Sequence, residues 1–177
     1  MSFAAAFAHT VGVEGGYSND PADHGGETMW GITERNARAF HYDGDMHAMP
    51  LAVAQSYYQA KVWDALGLGL VDAISPEIAA ELFDTAVNCG NSVPVPFLRR
   101  ALNAFNRQGK DWPDVATDGL CDQPVMAALK ACMAKRGAGN IIKALNCQQG
   151  VRYLDIVRAN PSQEAFVNGW FSNRVTL

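Results

Sequence analysis

The 177-residue chain has the length of one domain, or of a domain with a closely packed subdomain, and its 49% hydrophobic and 18% charged residues indicate a globular protein rather than a disordered one. Its formal net charge of −4 argues against nucleic acid as a partner, since such proteins usually present a basic face. The same charge disfavours avid binding to any anionic polymer.

The N-terminal segment predicts an amphipathic helix that ends at Gly15-Gly16. Phe3, Phe7, Val11 and Glu14 are spaced by four, four and three residues, which places Glu14 on the apolar face of the last turn. The segment is too short to span a bilayer and lacks the basic start of a signal peptide. We therefore expect synthesis in the cytoplasm and no stable membrane insertion.

Helical periodicity continues along the chain, whereas strand patterns are scarce. A small hairpin between Tyr17 and Ile32 is the most β-structure that we expect. Within the third predicted helix, Val53 and Tyr57 are expected to face inward, with Tyr58 as a further candidate. The helices predicted after Gly16 cover Ile32 to Phe40, Leu51 to Trp63, Pro76 to Asn88, Val93 to Phe105, Pro124 to Met133, Asn140 to Ala159 and Ser162 to Val175. Their predicted N-caps include Thr33, Ser75, which is followed by proline at the first helical position, and Ser162. The predicted fold class is mainly α.

The cysteine spacing and one candidate internal boundary bear on metal binding and on domain organisation. Cys89, Cys121, Cys132 and Cys147 are well separated and include no Cys-x-x-Cys pair, so we expect reduced thiols rather than a zinc site. Neither a metal nor an organic cofactor is implied. The segment from Gly90 to Pro96 is the best candidate for a boundary within the chain.

The acids near the N-terminus carry the chemistry. Hydrolysis of a glycosidic bond needs one carboxylic acid that stays protonated and a second group that delivers water or stabilises the cation. Glu14 suits the first role because burial against an apolar face raises a carboxyl pKa. A glutamate at a helix C-terminus is opposed by the dipole by a few tenths to about 1 kcal/mol, which favours a functional reason for its position.

Two acids are candidates for the second catalytic group. Asp23 follows Glu14 by nine residues, and a turn between them could place its carboxylate across a cleft as the base that positions water, with Thr28 helping to hold that water. Glu27 is the alternative base and is otherwise expected to bind substrate, whereas Asp20 before Pro21 is typical of an Asx turn.

Two aromatic residues in the same segment are candidates for sugar stacking. Tyr17 and Trp30 could contact pyranose faces, although either could equally pack in the core. His24 has no second histidine or Ser/Cys nucleophile motif beside it, so a Ser-His-Asp or Cys-His hydrolase is weakly supported.

These residues resemble the signature of glycoside hydrolase family 108, a lysozyme-like family of phage endolysins, prophages and related bacterial proteins. The likeness rests on Glu14-Gly15-Gly16-Tyr17 and on the pattern from Asp20-Pro21 through Gly25-Gly26 to Gly31-Ile32-Thr33. Further landmarks are Phe83 to Gly90, then Arg99 to Asn103, Asp118-Gly119-Leu120 and Gly169 to Arg174, the last three resembling a peptidoglycan-binding module.

The resemblance implies an N-acetylmuramidase that cleaves the β-1,4 bond between N-acetylmuramic acid and N-acetylglucosamine. The catalytic glutamate of the family maps onto Glu14, while Asp23 and Thr28 match by type the Glu, Asp, Thr order of family 24 phage lysozymes. Asn88 matches a helix-end residue near the cleft of the lysozyme-like fold, although it could equally be a helix C-cap. We expect a catalytic region at residues 1–90 and a helical peptidoglycan-binding subdomain at residues 91–177 packed on it.

Bacterial peptidoglycan is thus the expected partner of a monomeric enzyme that reaches the cell wall by a holin-type route. A lytic transglycosylase, which would need Glu14 alone, is the alternative within enzymes. A catalytically silent wall-binding or virion structural module is the alternative outside them. A toxin delivered between bacteria would use the same chemistry as the muramidase.

Overall fold

The computed structural model describes residues 2–12, 16–19 and 26–175. The fold is mainly α with one two-stranded antiparallel hairpin, as predicted. The chain forms two compact units, residues 1–65 and 66–177. The functional boundary predicted at 90–91 falls inside the second unit, at the end of a helix.

The described part of the first unit contains three α-helices and the hairpin. Its elements are α1 (Phe3–Thr10), β1 (Thr28–Met29), β2 (Ile32–Thr33), α2 (Glu34–Ala39), a 3-10 turn (Met46–Ala48), α3 (Leu51–Tyr58) and a π-helical segment (Gln59–Asp64). Phe7 of α1 is buried against the Tyr58 ring, with centroids 5.9 Å apart, and Phe3 packs edge-on against Trp63 at 5.6 Å. The apolar residues Phe7 and Val11 of the predicted first helix therefore do lie in the core, but its predicted end at Gly15-Gly16 is wrong, since α1 ends at Thr10 with Val11 as its C-cap.

The third predicted helix changes its winding partway along. Instead of one α-helix from Leu51 to Trp63, the α-helix ends at Tyr58 and a π-helix follows. A π-helix has more residues per turn, so α periodicity does not continue past Tyr58. Tyr58, the further candidate, is buried, whereas Val53 and Tyr57 are half-buried.

The second unit is built around one long helix, α8 (Ala138–Ala159), on which four other helices pack. Leu82, Phe83, Leu98, Leu102 and Leu129 are fully buried in its core. The other helices are α4 (Leu68–Asp72), α5 (Pro76–Cys89), α6 (Pro94–Phe105), α7 (Gln123–Arg136) and, after a 3-10 turn (Pro161–Gln163), α9 (Glu164–Arg174).

The helix starts follow local capping chemistry. Ser75 caps α5 by accepting a hydrogen bond from Ile78 N–H, with proline in the first turn, as predicted. The predicted cap at Ser162 is wrong. The Asn160 side chain caps the 3-10 turn instead, because its oxygen accepts from Ser162 N–H. The Ser162 hydroxyl also donates to Asn160.

Candidate active site

The hairpin turns at Trp30-Gly31, where both residues have positive φ, 55° and 75°. Thr28 pairs with Thr33 and Met29 with Ile32, so the turn has two residues, and positive φ at both is what a type I′ turn requires. A Cβ at Gly31 would lie 2.8 Å from the Tyr58 hydroxyl. Glycine is therefore needed here for backbone conformation and for space.

Trp30 is fixed at two atoms. Its indole Nε1 donates to the Met49 carbonyl at 3.0 Å, and its own carbonyl accepts from the Tyr58 hydroxyl at 3.0 Å. Burial raises the pKa of Tyr58, which keeps that hydroxyl protonated as the donor. These two bonds give Trp30 a structural role. The residue is half-buried, and sugar stacking by its exposed part remains a prediction.

Thr28 lies at the centre of the small sheet. Its backbone exchanges two hydrogen bonds with Ser18, at 2.8 and 2.9 Å, and it pairs with Thr33 on the other side. Directly paired residues share a face, so Thr28 lies on the face opposite buried Ile32. The sheet thus holds the half-buried Thr28 side chain away from the core contact made by Ile32.

The same sheet is joined to the start of α2. Thr33 Oγ1 accepts from Asn36 N–H, which caps the helix as predicted, and the Glu27 carbonyl accepts from Glu34 N–H at 2.7 Å. These bonds fix the backbone on both sides of the hairpin. Glu27 and Thr28 are therefore held on an ordered element.

Tyr17 and Glu27, two of the predicted substrate-binding residues, are in contact. The Tyr17 hydroxyl donates to Glu27 Oε1 at 3.0 Å, and the ring packs edge-on against His47 with centroids 4.8 Å apart. Desolvation and the bond to Glu27 hold the pKa of Tyr17 above its ordinary value. Tyr17 is exposed and Glu27 is half-buried, so a ligand could reach the pair from solvent.

Glu14 and Asp23, the predicted acid and base, lie outside the described residues. The predicted separation of their carboxyl groups therefore stays a prediction. Of the residues predicted around them, the structure brings Tyr17, Glu27, Thr28 and Trp30 together on one hairpin and its flanking strand.

Asn88, the remaining predicted site residue, lies in the second unit near the end of α5. Its side-chain amide donates to the Asp84 carbonyl one turn earlier, at 2.8 Å. This is the local bond expected of a helix-terminal asparagine. A contact with substrate remains a prediction.

A buried polar cluster in the second unit was not predicted from the sequence. Asp84 of α5 accepts from Gln149 Nε2 of α8 at 3.0 Å and pairs with Arg174 of α9. Burial and the Asp84 carboxylate raise the pKa of nearby Glu81 to about 7. A hydrogen bond from Asn146 lowers this pKa and so offsets part of the increase. The available signal was the presence of two acids, three residues apart, inside the otherwise apolar helix α5.

Two of the three landmarks in the second half of the sequence, Arg99 to Asn103 and Asp118-Gly119-Leu120, come together around Arg99. This fully buried guanidinium donates to the Ala116 carbonyl at 2.7 Å, to the Leu120 carbonyl, and to Asp122 at 3.1 Å. Gly119 has φ 97°, and a Cβ there would lie 3.2 Å from the guanidinium. The Arg99 and Asp118-Gly119-Leu120 motifs therefore form one arrangement that fixes the loop before α7.

Two general features bear on the class of protein. Among the described helices, none is both long enough and apolar enough to cross a bilayer. Across the described parts of the chain, no three His, Cys, Asp or Glu side chains are grouped so as to hold a metal ion.

The chain has a mainly α fold, with a small hairpin in the first unit and a helical second half. Comparison with known families identifies the class of protein that has this organisation. Residues 7–90 match the model of glycosyl hydrolase 108, and residues 93–175 match that of a predicted peptidoglycan domain. The first region thus belongs to the glycosyl hydrolase 108 family and the second to the predicted peptidoglycan domain family. Together they indicate a glycoside hydrolase that degrades peptidoglycan.

Among solved structures, the chain is similar to SagA of Brucella abortus, with a TM-score of 0.70 and 23% sequence identity. The similarity covers 96% of this chain and 87% of the SagA chain. At this identity the likeness establishes a shared fold. No curated protein matches the sequence.

Proposed function

We propose that this chain is an N-acetylmuramidase that hydrolyses the β-1,4 bond between N-acetylmuramic acid and N-acetylglucosamine, with Glu14 as the general acid. The observation that carries the proposal is the match of residues 7–90 to glycosyl hydrolase 108, because this region contains the Glu14-Gly15-Gly16-Tyr17 motif. The peptidoglycan domain at residues 93–175 supports the same substrate.

In the proposed reaction Glu14 donates its proton to the glycosidic oxygen as the bond to the anomeric carbon breaks. Asp23 accepts a proton from the attacking water, and the Thr28 hydroxyl holds that water in line. A separation of about 6.5–9.5 Å between the two carboxyl groups would leave room for the water and invert the anomeric carbon. Glu27 is the alternative to Asp23 as the base.

The ordered hairpin supports the role proposed for Thr28. A water-positioning hydroxyl needs a rigid carrier, and the Thr28 backbone exchanges two hydrogen bonds with Ser18 while lying opposite Thr33 in the hairpin. We propose that Tyr17, Glu27 and Trp30 contact the sugars from the first unit. We also propose that Asn88 binds substrate.

The direct test is Glu14→Gln, which keeps size and hydrogen bonding but removes the proton donor. We expect digestion of purified peptidoglycan to fall by about 10²- to 10⁴-fold. Glu34→Gln is the matched control, because Glu34 lies in the same unit and only pairs at the surface with Arg38. If Glu14→Gln digests at the wild-type rate, or if the wild type digests none, the proposal is wrong.

Product analysis separates the muramidase from the lytic transglycosylase. Mass spectrometry should find reducing N-acetylmuramic acid ends, whereas 1,6-anhydro ends would show the transglycosylase reaction. Comparing Asp23→Asn with Glu27→Gln identifies the base, since the variant that loses more activity at unchanged substrate affinity carries that role.

We further propose that residues 1–90 perform catalysis and that residues 91–177 bind the wall, in a monomer used as a phage endolysin. Light scattering on the purified chain tests the monomer. A holin gene beside the coding gene would support the endolysin role, whereas a neighbouring immunity gene would indicate a toxin.

A further inference from the structure

A groove of about 410 Å³ lies on the second unit, between α6 and α8. Catalysis as proposed above does not use it. Its lining combines apolar and cationic side chains, namely Phe97, Arg100, Cys147, Gln148, Val151 and Arg152. We call this feature the α6–α8 groove.

The groove holds one of its cations in a fixed orientation. The Arg100 guanidinium donates to Gln148 Oε1 at 3.1 Å and lies over the Phe97 ring, 5.8 Å from the centroid. Gln148 is itself fixed by donating to the Phe97 and Ala144 carbonyls, each at 3.0 Å. Arg100 is thus pre-oriented although it is solvent-exposed, which lowers the entropic cost of binding an anion.

The groove keeps its positive charge in a chain whose net charge is −4. Among the described residues, no carboxylate lies within ion-pair distance of Arg100 or Arg152. Asp155 also lines the groove, but its carboxylate is paired with Arg158 at 3.0 Å. Two guanidinium groups therefore remain available to a ligand beside the exposed methyl groups of Val151.

We propose that the α6–α8 groove binds the anionic stem peptide of peptidoglycan. Guanidinium groups form charge-assisted and often bidentate bonds with carboxylates, and the peptide carries its carboxylates next to alanine methyl groups that fit the apolar lining. The glycan strand offers no comparable charges, because its lactyl carboxyl is amide-bonded to the peptide. The proposal rests on peptidoglycan as the substrate, and it gives an acidic protein a local means of binding an anionic polymer.

Cys147 provides a probe within the native chain. It is the exposed cysteine, whereas Cys121 and Cys132 are buried and Cys89 is half-buried. Alkylation of Cys147 by a maleimide should become about tenfold slower when a disaccharide-tetrapeptide is present at ten times its Kd, because only unbound protein reacts. This ligand contains no bond that a muramidase cuts, so the measurement does not depend on catalysis.

Charge-removing variants test the recognition itself. The double variant Arg100→Gln with Arg152→Gln should weaken binding by about tenfold or more. The control is Lys130→Gln with Lys143→Gln, which removes the same charge from exposed positions outside the groove and should leave binding unchanged. Thermal melting checks that each variant folds. Val151→Asp compared with Val151→Asn gives a second test, since the added carboxylate should weaken binding more than the neutral amide of similar size.

Three results would overturn the proposal. They are equal protection of Cys147 by the peptide-free disaccharide, equal protection by polyglutamate of matched charge, and no protection by the disaccharide-tetrapeptide. Failure of the muramidase proposal is seen separately, in the digestion assay with Glu14→Gln. Protection of Cys147 together with absent hydrolysis would support the groove and reject the catalytic proposal.

Discussion

Asp84 of α5 and Arg174 of α9 form an ion pair that ties the last helix to the core of the second unit. The two side chains are only 12% and 9% exposed, although α9 contributes no fully buried residue. The pair is therefore one of the few buried contacts that hold α9, together with the stacking of Trp170 on Tyr153 at 5.0 Å.

Removing the cation of this pair should destabilise the protein strongly. Arg174→Met leaves the Asp84 carboxylate buried with Gln149 as its neutral donor, and we expect a loss of about 3 kcal/mol in the free energy of unfolding. Urea denaturation measures it. Arg158→Met, at an 83% exposed arginine paired with Asp155, is the matched control and should cost less than about 1 kcal/mol. Equal losses for both variants would contradict the importance of burial.

Glu81 should make stability depend on pH. Burial and Asp84 raise the pKa of Glu81 to about 7 in the folded protein, from 4.5. The folded state then binds more protons between these values, so the free energy of unfolding should fall as pH rises through this window, by at most about 1.4 kcal/mol per unit. In Glu81→Gln this contribution should disappear, and the variant should be more stable than the wild type at pH 8.

Glu77, in the first turn of α5, supplies the control for that experiment. The Glu77 backbone N–H and the Ser75 hydroxyl lower the pKa of Glu77, so its contribution to stability is present at neutral pH and is lost as pH falls. Glu77→Gln should therefore destabilise the protein at pH 7 and have less effect in acid. Urea denaturation at several pH values should give opposite pH trends for the two variants relative to the wild type.

Three glycines separate backbone strain from steric crowding around the hairpin. Gly31→Ala meets both a positive φ and the Tyr58 hydroxyl, Gly26→Ala meets a positive φ alone, and Gly16→Ala meets neither. We expect Gly31→Ala to lose more unfolding free energy than Gly26→Ala, which should lose about 1–2 kcal/mol, and Gly16→Ala to lose least. In a Tyr58→Phe background Gly31→Ala should cost less, since the crowding oxygen is gone. An unchanged cost in that background would show that strain alone matters.

Arg99 should be irreplaceable by lysine. Lysine keeps the charge but lacks the planar group that reaches the Ala116 and Leu120 carbonyls together, so we expect Arg99→Lys to lose about 2–4 kcal/mol in urea denaturation. Alkylation of buried Cys121, next to this loop, should become faster as the loop loosens. Arg100→Lys, at the exposed neighbour, should change neither measurement.

The sequence predicted the elements that depend on local interactions. The Ser75-Pro76 start of α5 and the Thr33 cap of α2 were correct because a cap involves neighbouring residues. The π-helix after Tyr58 was not predicted, and its buried Trp63 packs against Phe3, which lies far away in sequence. Asn160, rather than Ser162, caps the start of the last helical segment, and the Asn160 side chain accepts both the N–H and the hydroxyl of Ser162.

By itself, the sequence determined the mainly α fold, the family of each half and the short segment in which the catalytic chemistry is proposed. These features depend on periodicity and motifs, which involve residues close together in sequence. Tertiary structure decided which polar residues meet. The Tyr17–Glu27 contact, the buried Asp84–Arg174 pair and the cationic α6–α8 groove each join residues 10 or more positions apart. Such contacts depend on how helices pack, and no local pattern specifies that packing.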